Sequence, residues 1–439
     1  MANSAQKNST LVPIIIIAGL FFIFGFVTWI NGALIPFMKT INELTDAESY
    51  LVASASYISF VVMALPASSI INKIGYKKGM SLGLIIMAIG ALVFIPAANA
   101  RTYWMFLTAI FIQGAGMTLL QTASNPYITI LGPIESAAKR IAIMGIANKV
   151  AGALGSFIFA TLLLSGIDEI KDKLATVDAI EKASLLDTMA DSVITPYIAM
   201  AVVLLILGIL IRKAPLPNVE AKQTEKLKEG ETSKTSVFQF PHLWLGVLAL
   251  FVYVGVEVVA GDTIISYGRS IGLGVKSNSF TTYTLMAMVA TYALGVILIP
   301  KYISQTFALK ASAILGIVLS FCIVFTTGFT SVLFVAALGI ANALVWPAIW
   351  PLALTGMGKF TKTASALLIM AISGGAIIPP LYGALVDNKK ESLIVDGANE
   401  VSAMAEAASF GYWILLPCYL IIFYYAFWGH KVGLKKVQS

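Results

Sequence analysis

The chain has 439 residues, of which 58% are hydrophobic and only 12% are charged. Soluble globular proteins carry about 25% charged residues, so the composition excludes an ordinary soluble protein and predicts an integral membrane protein. The formal net charge of +7 would suit a nucleic-acid-binding protein, but the basic residues lie where membrane topology demands them, and no nucleic-acid partner is expected.

Twelve apolar runs are long enough to cross a bilayer, since a helical span needs about 20 mainly apolar residues. The sequence lacks the alternating pattern of a transmembrane β-barrel, so the predicted fold class is an all-α membrane protein with twelve transmembrane helices. The first run is too long for a signal-peptide core and is expected to be retained. The predicted spans cover residues 12–37, 50–72, 78–98, 104–131, 141–165, 194–212, 243–267, 280–300, 308–328, 331–355, 364–387 and 407–429.

Basic residues flank the apolar runs unevenly. If the N-terminus lies inside, nineteen of the 29 Lys and Arg residues fall in cytoplasmic segments and nine fall outside. Cytoplasmic loops of membrane proteins carry an excess of Lys and Arg, so both termini are predicted to face the cytoplasm. The remaining basic residue, Lys149, lies within span 5 and belongs to neither side.

A polar, charged segment at 212–242 divides the predicted spans six and six. Many secondary transporters are built from two repeated halves. The predicted organisation is therefore an N-terminal six-helix half at 1–211, a cytoplasmic linker at 212–242 and a C-terminal six-helix half at 243–439.

The two halves share short internal matches. Gly25 of span 1 aligns with Gly255 of span 7, and Asn148 of span 5 aligns with Gly374 of span 11. These short matches agree with the division into two halves that the linker implies.

Span 4 ends in a cluster of polar residues, "QTASNP". A polar side chain in lipid is costly unless it faces protein or a wet cavity. Gln121 and Asn125 are four residues apart and share one face of the helix. For Gln121 a cavity-facing position is favoured, whereas Asn125 fits either ligand contact or contact between helices.

Three ionisable residues are predicted to lie at membrane depth. Lys149 is nine residues beyond Arg140, or roughly 13 Å at 1.5 Å per residue, so it needs a carboxylate, a wet cavity or the neutral state. Glu257 in span 7 is its natural partner, either as a structural ion pair or as part of a functional site. Asp262 is about 140° around the helix from Glu257, and the two acids need not form one site unless the helix breaks between them.

Span 10 carries two tryptophans, Trp346 and Trp350, that are four residues apart, and Asn342 precedes Trp346 by one turn. These positions share one helix face. An aromatic face that stacks on a pyranose, together with amides for its hydroxyls, is a common basis of sugar binding. Ordinary packing is the alternative for the tryptophans.

The sequence lacks several motifs of enzymes and pumps. There is no G-x-x-x-x-G-K-[ST] loop, so ATP is not the expected energy source. The two histidines, His242 and His430, lie at cytoplasmic span ends, which leaves no catalytic triad or metal site within the membrane. Cys322 and Cys418 lie in apolar runs and no disulfide is expected. Neither enzyme activity nor a bound metal is predicted.

Several stretches resemble a known transporter family. The loop "SSIINKIGYKKG" resembles that between spans 2 and 3 of the major facilitator superfamily, with Gly75 at the turn, although an ordinary basic loop is the alternative. Nearly the whole chain resembles the fucose permease and glucose/galactose transporter group, and most of all the bacterial branch that includes N-acetylglucosamine, glucose and mannose permeases. The stretches that carry this resemblance are "FFIFGFVTWINGALIPFMK", "LLQTASNPYITILGP", "ESAAKRI" and "YVGVEVVAGDT".

The resemblance implies the major facilitator fold, alternating access, and sugar symport driven by protons or sodium in the bacterial inner (cytoplasmic) membrane. Two positions depart from fucose permease, which carries one acid in span 1 and another in span 4. This sequence has Gly32 and Gln121 there. The proton mechanism of fucose permease therefore does not carry over, and fucose is not the expected substrate.

The sequence as a whole predicts a monomeric secondary active transporter that imports glucose, galactose, mannose or N-acetylglucosamine by symport with Na⁺ or H⁺, without a further cofactor. Glu257, coupled to Lys149 or to a cation, is the first candidate for the coupling residue, and Asp262 is the second. The alternatives are a sugar uniporter, a non-transporting membrane sensor and an enzyme that acts on lipid-linked sugar. The predicted sugar contacts are Asn31, Gln121, Asn125, Asn148, Trp346 and Asn342.

Overall fold

A computed structural model describes most of the chain. It covers residues 2–44, 46–49, 51–131, 137–164, 170, 173–174, 176–216 and 235–434. Within helices, the side chains of residues 2–11, 31–33, 46–47, 130, 137–138, 164, 359 and 362 lie outside the described part. In these ranges the regular structure is helical, and twelve stretches are long and apolar enough to cross a membrane.

The first six spans follow the chain order, with a separate short helix between spans 1 and 2. The candidate membrane stretches are Val12–Ile41, Leu51–Ile74, Tyr76–Asn99, Tyr103–Thr129, Lys139–Leu163 and Ala179–Lys213. They are formed by the helices Ala2–Trp29, Asn31–Ile41, Leu51–Ile74, Tyr76–Asn99, Tyr103–Ile130, Ala137–Leu164, Ala179–Asp191 and Ile194–Lys213, and the short helix is Asp46–Ser49.

The last six spans include several helices that are divided into two segments. The candidate membrane stretches are Pro241–Asp262, Gly274–Leu298, Gln305–Phe325, Gly328–Ala353, Thr363–Val395 and Glu400–Phe427. The α-helices are Pro241–Asp262, Ile264–Ser270, Phe280–Leu298, Gln305–Phe325, Gly328–Ala343, Val345–Ala353, Thr361–Met370, Gly374–Val395, Glu400–Gly411 and Leu415–Phe427. Short 3₁₀ helices lie at Val237–Gln239, Gly274–Ser279, Gly358–Phe360, Ala371–Ser373, Tyr412–Ile414 and Gly429–Lys431.

The prediction of twelve helical spans is confirmed, and the largest boundary error is at span 6. The sequence predicts this span over 194–212, but a further helix, Ala179–Asp191, precedes it directly. The Asp178 side chain caps that helix by accepting hydrogen bonds from the backbone N–H groups of Ile180 and Glu181. Because the extra helix is polar and outside the apolar run, hydropathy alone does not reveal it.

Several spans are interrupted along their length. Spans 1, 7 and 10 change helix at Ile30, Thr263 and Leu344, and span 11 passes through the 3₁₀ turn Ala371–Ser373. At the span 7 break, the Thr263 hydroxyl donates to the Val259 carbonyl oxygen at 2.7 Å and lies 2.8 Å from the Tyr412 hydroxyl. Discontinuous helices free backbone groups in the bilayer and are tolerated where they line a cavity or are buried in protein.

The internal matches in the sequence correspond to matching contacts in the two halves. A Cβ atom on Gly25 would meet the backbone of Asn148, and one on Gly255 would lie 2.6 Å from Ile378 Cβ and 3.2 Å from the Gly374 carbonyl oxygen, so neither glycine has room for a side chain. Span 1 therefore packs on span 5 as span 7 packs on span 11. This repetition supports the proposed halves, whose exact limits at 1–211 and 243–439 stay a prediction.

Close contacts of span 5 with span 8 and of span 11 with span 2 help to join the halves. A Cβ atom on Gly145 of span 5 would lie 2.7 Å from Tyr292 Cζ of span 8, and one on Gly375 of span 11 would lie 2.9 Å from the Tyr57 ring of span 2. The Ser54 hydroxyl of span 2 also donates to the Ala376 carbonyl oxygen at 3.1 Å. Glycines at these points let the helices approach closely, and the space between the two contacts forms a central cavity.

Candidate functional site

A cavity lies between the two halves at the level of the interrupted helices. Its empty volume is about 680 Å³, which includes space open to solvent. Spans 1, 2, 4, 5, 7, 8, 10 and 11 all contribute to its wall. The lining residues are Phe21, Phe24, Thr28, Trp29, Tyr57, Gln121, Asn125, Ile141, Gly145, Asn148, Lys149, Tyr253, Val254, Glu257, Val258, Tyr292, Trp346 and Ile372.

Amide side chains occupy the wall formed by spans 4 and 5. Asn125 Nδ2 lies 3.5 Å from Gln121 Oε1, and Asn148 Nδ2 lies 3.4 Å from the Phe21 carbonyl oxygen. Both distances exceed those of strong N–H···O hydrogen bonds. Gln121 Nε2 is buried and has no hydrogen-bond partner among the described residues. This wall therefore has amide groups that are free to exchange weak internal contacts for a polar ligand.

Aromatic rings form much of the remaining wall. Trp346 lines the cavity, and its ring stacks on that of Trp350 with centroids 5.5 Å apart and an interplanar angle of 21°. Trp350 is fully buried behind it and does not reach the cavity. Of the two tryptophans that the sequence singles out, one faces the cavity and the other holds it in place.

An ion pair crosses the cavity wall between the halves. Lys149 Nζ of span 5 lies 2.6 Å from Glu257 Oε1 of span 7, with the side chains 8% and 12% exposed. The ammonium group also lies 4.3 Å from the centroid of the Trp29 ring, within the distance of a cation–π interaction. The sequence predicts this partner for Lys149 from its depth, and the structure brings the two groups together.

The Trp29 ring packs into a notch made by two glycines. A Cβ atom on Gly152 would lie 2.7 Å from Trp29 Cγ, and one on Gly261 would lie 3.0 Å from Trp29 Cη2. Gly152 is one turn beyond Lys149, away from the inner membrane edge at Arg140. In the predicted orientation, Trp29 therefore closes the outer side of the cavity by contacting both halves.

Asp262 lies apart from the cavity. It is 7% exposed, is absent from the cavity wall, and is the last residue of the helix Pro241–Asp262. Its Oδ1 atom has no hydrogen-bond partner among the described residues. The carboxylate still lies within electrostatic range of Lys149 and Glu257.

One predicted sugar contact, Asn342, does not reach the cavity. Asn342 is fully buried, its Oδ1 atom accepts a 2.7 Å hydrogen bond from the Tyr419 hydroxyl, and it is not part of the wall. The break at Leu344 separates Asn342 from Trp346, so the shared face expected of a continuous helix is lost. The side chain of Asn31 lies outside the described residues, and its sugar contact stays a prediction.

Sequence reasoning missed several residues of the wall. Tyr253 precedes Glu257 by four residues and lies next to its carboxylate, while Tyr292 lies next to Tyr253. The spacing of four from a membrane-depth acid was a usable signal for Tyr253. Tyr57 and Tyr292 come from other spans, and nothing in their local sequence distinguishes them from packing residues.

Comparison with known proteins gives consistent relatives. A glucose/galactose transporter of Brucella abortus is 34% identical over 390 residues, which cover 88% of this chain and 90% of that protein. A putative glucose/galactose transporter of Helicobacter pylori is 32% identical over 431 residues, covering 97% and 98%. An L-fucose-proton symporter of Haemophilus influenzae is 28% identical over 439 residues, covering 98% and 100%.

Solved structures share the same fold. The crystal structure of the major facilitator transporter FucP in the outward conformation matches with a TM-score of 0.73 at 24% identity, covering 95% of this chain and 98% of that one. A second crystal structure of the Escherichia coli fucose:proton symporter matches with a TM-score of 0.70 at 25% identity and the same coverage. The sequence profile described as Major Facilitator Superfamily matches residues 17–380. The chain therefore belongs to the Major Facilitator Superfamily.

Proposed function

We propose that this protein is a secondary active transporter of the bacterial inner membrane that imports a monosaccharide by cation-coupled symport with alternating access. The observation that carries this proposal is the central cavity, which combines amides, an aromatic wall and a buried ion pair between two repeated halves. The relatives named as glucose/galactose transporters and L-fucose-proton symporters support it.

The cavity wall suits a ligand with hydroxyl groups and an apolar ring face. Gln121, Asn125 and Asn148 offer donors and acceptors on one side, and Trp346 offers an exposed aromatic face on the other. Such a site orients a pyranose by stacking and reads its hydroxyls with amides. The proposed substrates are glucose, galactose, mannose and N-acetylglucosamine, with the first two supported by the names of the relatives.

Alternating access is supported by the contact of Trp29 with both halves, which closes the outer side of the cavity. The Trp29 ring fits between Gly152 of the first half and Gly261 of the second half, on the outer side of the ion pair. Ile141 lines the cavity two residues after Lys139, near the inner membrane edge. When the halves rock, Trp29 leaves the glycine notch, the outer side opens and the inner side closes.

The charged groups support coupling to a cation rather than uniport. Lys149, Glu257 and Asp262 lie at membrane depth, where ionisable groups are expensive and are kept for function. A uniporter for a neutral sugar has no need of them. The relatives named as proton symporters support H⁺, and Na⁺ is the second candidate.

The test uses purified protein in proteoliposomes that is offered the four proposed sugars in a counterflow assay, which needs no ion gradient. We expect exchange of at least one sugar, and accumulation of that sugar when an inward pH gradient or Na⁺ gradient is imposed. Absence of exchange with all four sugars contradicts the proposed function. Exchange without accumulation under either gradient identifies a uniporter.

A matched pair of variants tests the assignment of the cavity. Gln121→Ala removes a lining amide, and we expect the KM for sugar to rise about tenfold, which corresponds to one hydrogen bond of about 1.4 kcal/mol. Gln113→Ala is the control, because Gln113 is a buried amide of the same span that contacts Met200 Sδ at 3.5 Å and does not line the cavity. Equal effects of the two changes contradict the assignment.

A further inference from the structure

The charges beside the cavity do not balance. Lys149 brings one positive charge, while Glu257 and Asp262 bring two carboxylates. These are the charged groups that act on Asp262 in the described part of the chain, and the other titratable group that faces it is the Tyr57 hydroxyl of span 2. When all three ionise, the cluster carries one excess negative charge in the membrane interior.

The one cation of the cluster is already engaged. The Lys149 ammonium contacts Glu257 at 2.6 Å and lies against the Trp29 ring. Among the described residues, Asp262 has no ion pair and its Oδ1 atom has no hydrogen-bond partner. An ionised carboxylate that is buried without a partner is strongly unfavourable, so such a group binds a cation or takes a proton.

We infer that Asp262, rather than Glu257, takes up the coupling cation, and that Glu257 remains ionised as the fixed partner of Lys149. This inference rests on the proposed function and names the site of its ion. The cation is one that neutralises a single carboxylate, which is the shared chemistry of a proton and of sodium.

The position of Asp262 links the cation to the outer closure. Asp262 directly follows Gly261, against which the Trp29 ring packs, and directly precedes the helix break at Thr263. Opening of the outer side withdraws Trp29 from Gly261 and gives Asp262 access to the external solution. The cation therefore enters from outside before Trp29 closes over it.

The oxygen atoms around Asp262 are largely occupied. The Thr281 hydroxyl donates to the Gly261 carbonyl oxygen at 2.6 Å, and the Thr263 hydroxyl contacts the Val259 carbonyl oxygen and the Tyr412 hydroxyl. A proton needs only the carboxylate, whereas sodium requires several oxygen ligands and displacement of these bonds. The experiment separates the two ions by imposing each gradient alone.

The test compares Asp262→Asn with the wild type in proteoliposomes. Sugar counterflow, with equal ion concentrations on both sides, measures movement of the sugar, and accumulation under a pH gradient or a Na⁺ gradient measures coupling. We expect the rate of counterflow of Asp262→Asn to stay within about threefold of the wild type. We expect its accumulation of sugar to be at least tenfold lower than that of the wild type. The gradient that drives accumulation in the wild type identifies the ion. Asp187→Asn, a change at an exposed ion pair with Arg101, is the matched control and leaves both readouts unchanged.

Glu257→Gln distinguishes the two acids, because it leaves Lys149 unpaired beside the cavity. We expect it to lower counterflow and accumulation together by at least tenfold. Asp262→Ser provides a second neutral variant where Asp262→Asn does not give folded protein. Accumulation retained in either folded neutral variant of Asp262, or selective loss of accumulation in Glu257→Gln, overturns the inference. Failure of the proposed function is a separate result, since the wild type would then show no counterflow with any sugar.

Discussion

The Lys149–Glu257 ion pair makes a strong prediction about stability. Lys149→Met keeps the length of the side chain but removes the ammonium, and Glu257→Gln keeps the shape but removes the charge. Each single change leaves the other charge buried, since the two side chains are only 8% and 12% exposed. Solvent screening of the remaining charge is therefore weak.

The expected change in the free energy of unfolding follows from the burial of the ion pair. Removing one partner of a buried ion pair costs about 3–5 kcal/mol of stability. Because Lys149 and Glu257 both line the cavity, the charge that remains can be partly hydrated, and we expect each single change to cost about 3 kcal/mol. Lys149→Met also removes the cation–π contact with Trp29, which is worth about 0.5–1 kcal/mol. The double variant removes both charges of the pair and leaves neither one buried without its partner, so we expect its free energy of unfolding to lie within about 1 kcal/mol of the wild type.

The measurement is a double-mutant cycle of unfolding in mixed detergent micelles. The control cycle changes Arg101 and Asp187, whose ion pair of 3.1 Å lies at the surface with side chains 28% and 63% exposed. A pair of this kind contributes about 0–1 kcal/mol. If the single changes at Lys149 and Glu257 are additive, or no larger than those of the control pair, the argument for a buried pair that joins the halves is refuted.

Three further predictions test the cavity and its surroundings. Trp346→Ala should raise the KM for sugar about tenfold, because an aromatic contact is worth about 0.5–1.5 kcal/mol beyond its area, whereas Trp346→Phe should retain most of the affinity; steady-state uptake measures both. Gly152→Leu should lower uptake at least tenfold because its side chain has no room beside Trp29, and Trp29→Ala added to it should restore part of the uptake. Asn342→Ala should leave the KM for sugar within about twofold of the wild type. It should lower the free energy of unfolding by about 1–3 kcal/mol, because the buried Tyr419 hydroxyl loses its acceptor. A raised KM with unchanged stability would instead place Asn342 in the binding site.

Much of the architecture was readable from the sequence because the bilayer imposes a strict physical constraint. Each span must be about 20 apolar residues long, so hydropathy located twelve spans without knowledge of their packing. Depth along a helix is equally regular at 1.5 Å per residue. That regularity is why the pairing of Lys149 with Glu257 could be predicted and why the structure agrees with it.

The composition of the cavity wall was harder to predict. Tyr57 and Tyr292 line the cavity, but the bundle is rich in tyrosines that are buried for packing, such as Tyr197 and Tyr425. A tyrosine in a span looks the same in sequence whether it faces a cavity or a neighbouring helix. The assignment depends on tertiary packing, which local periodicity does not encode.

Helix breaks were the other source of error. The prediction for Asn342 assumed a continuous helix, on which a residue four positions before Trp346 shares its face. The chain changes helix at Leu344, and Asn342 bonds to Tyr419 of span 12 instead. Pro347 and Pro351 follow the break, but a proline places a break only within about a turn of itself, which is too coarse to decide the direction of one side chain.

The proposed site for the cation also gives a reason for strict coupling. If Trp29 returned to the glycine notch beside an ionised Asp262, it would seal a carboxylate without a partner in a region that excludes water, which is strongly unfavourable. Once a cation neutralises Asp262, this penalty disappears and the outer side closes freely. The sugar acts on the same closure from within the cavity, where Trp29 is part of the wall. Both ligands thus favour one movement of one ring, and neither needs to contact the other. On this reasoning Asp262→Asn mimics the loaded state, which is why exchange of sugar should survive the change while accumulation should not.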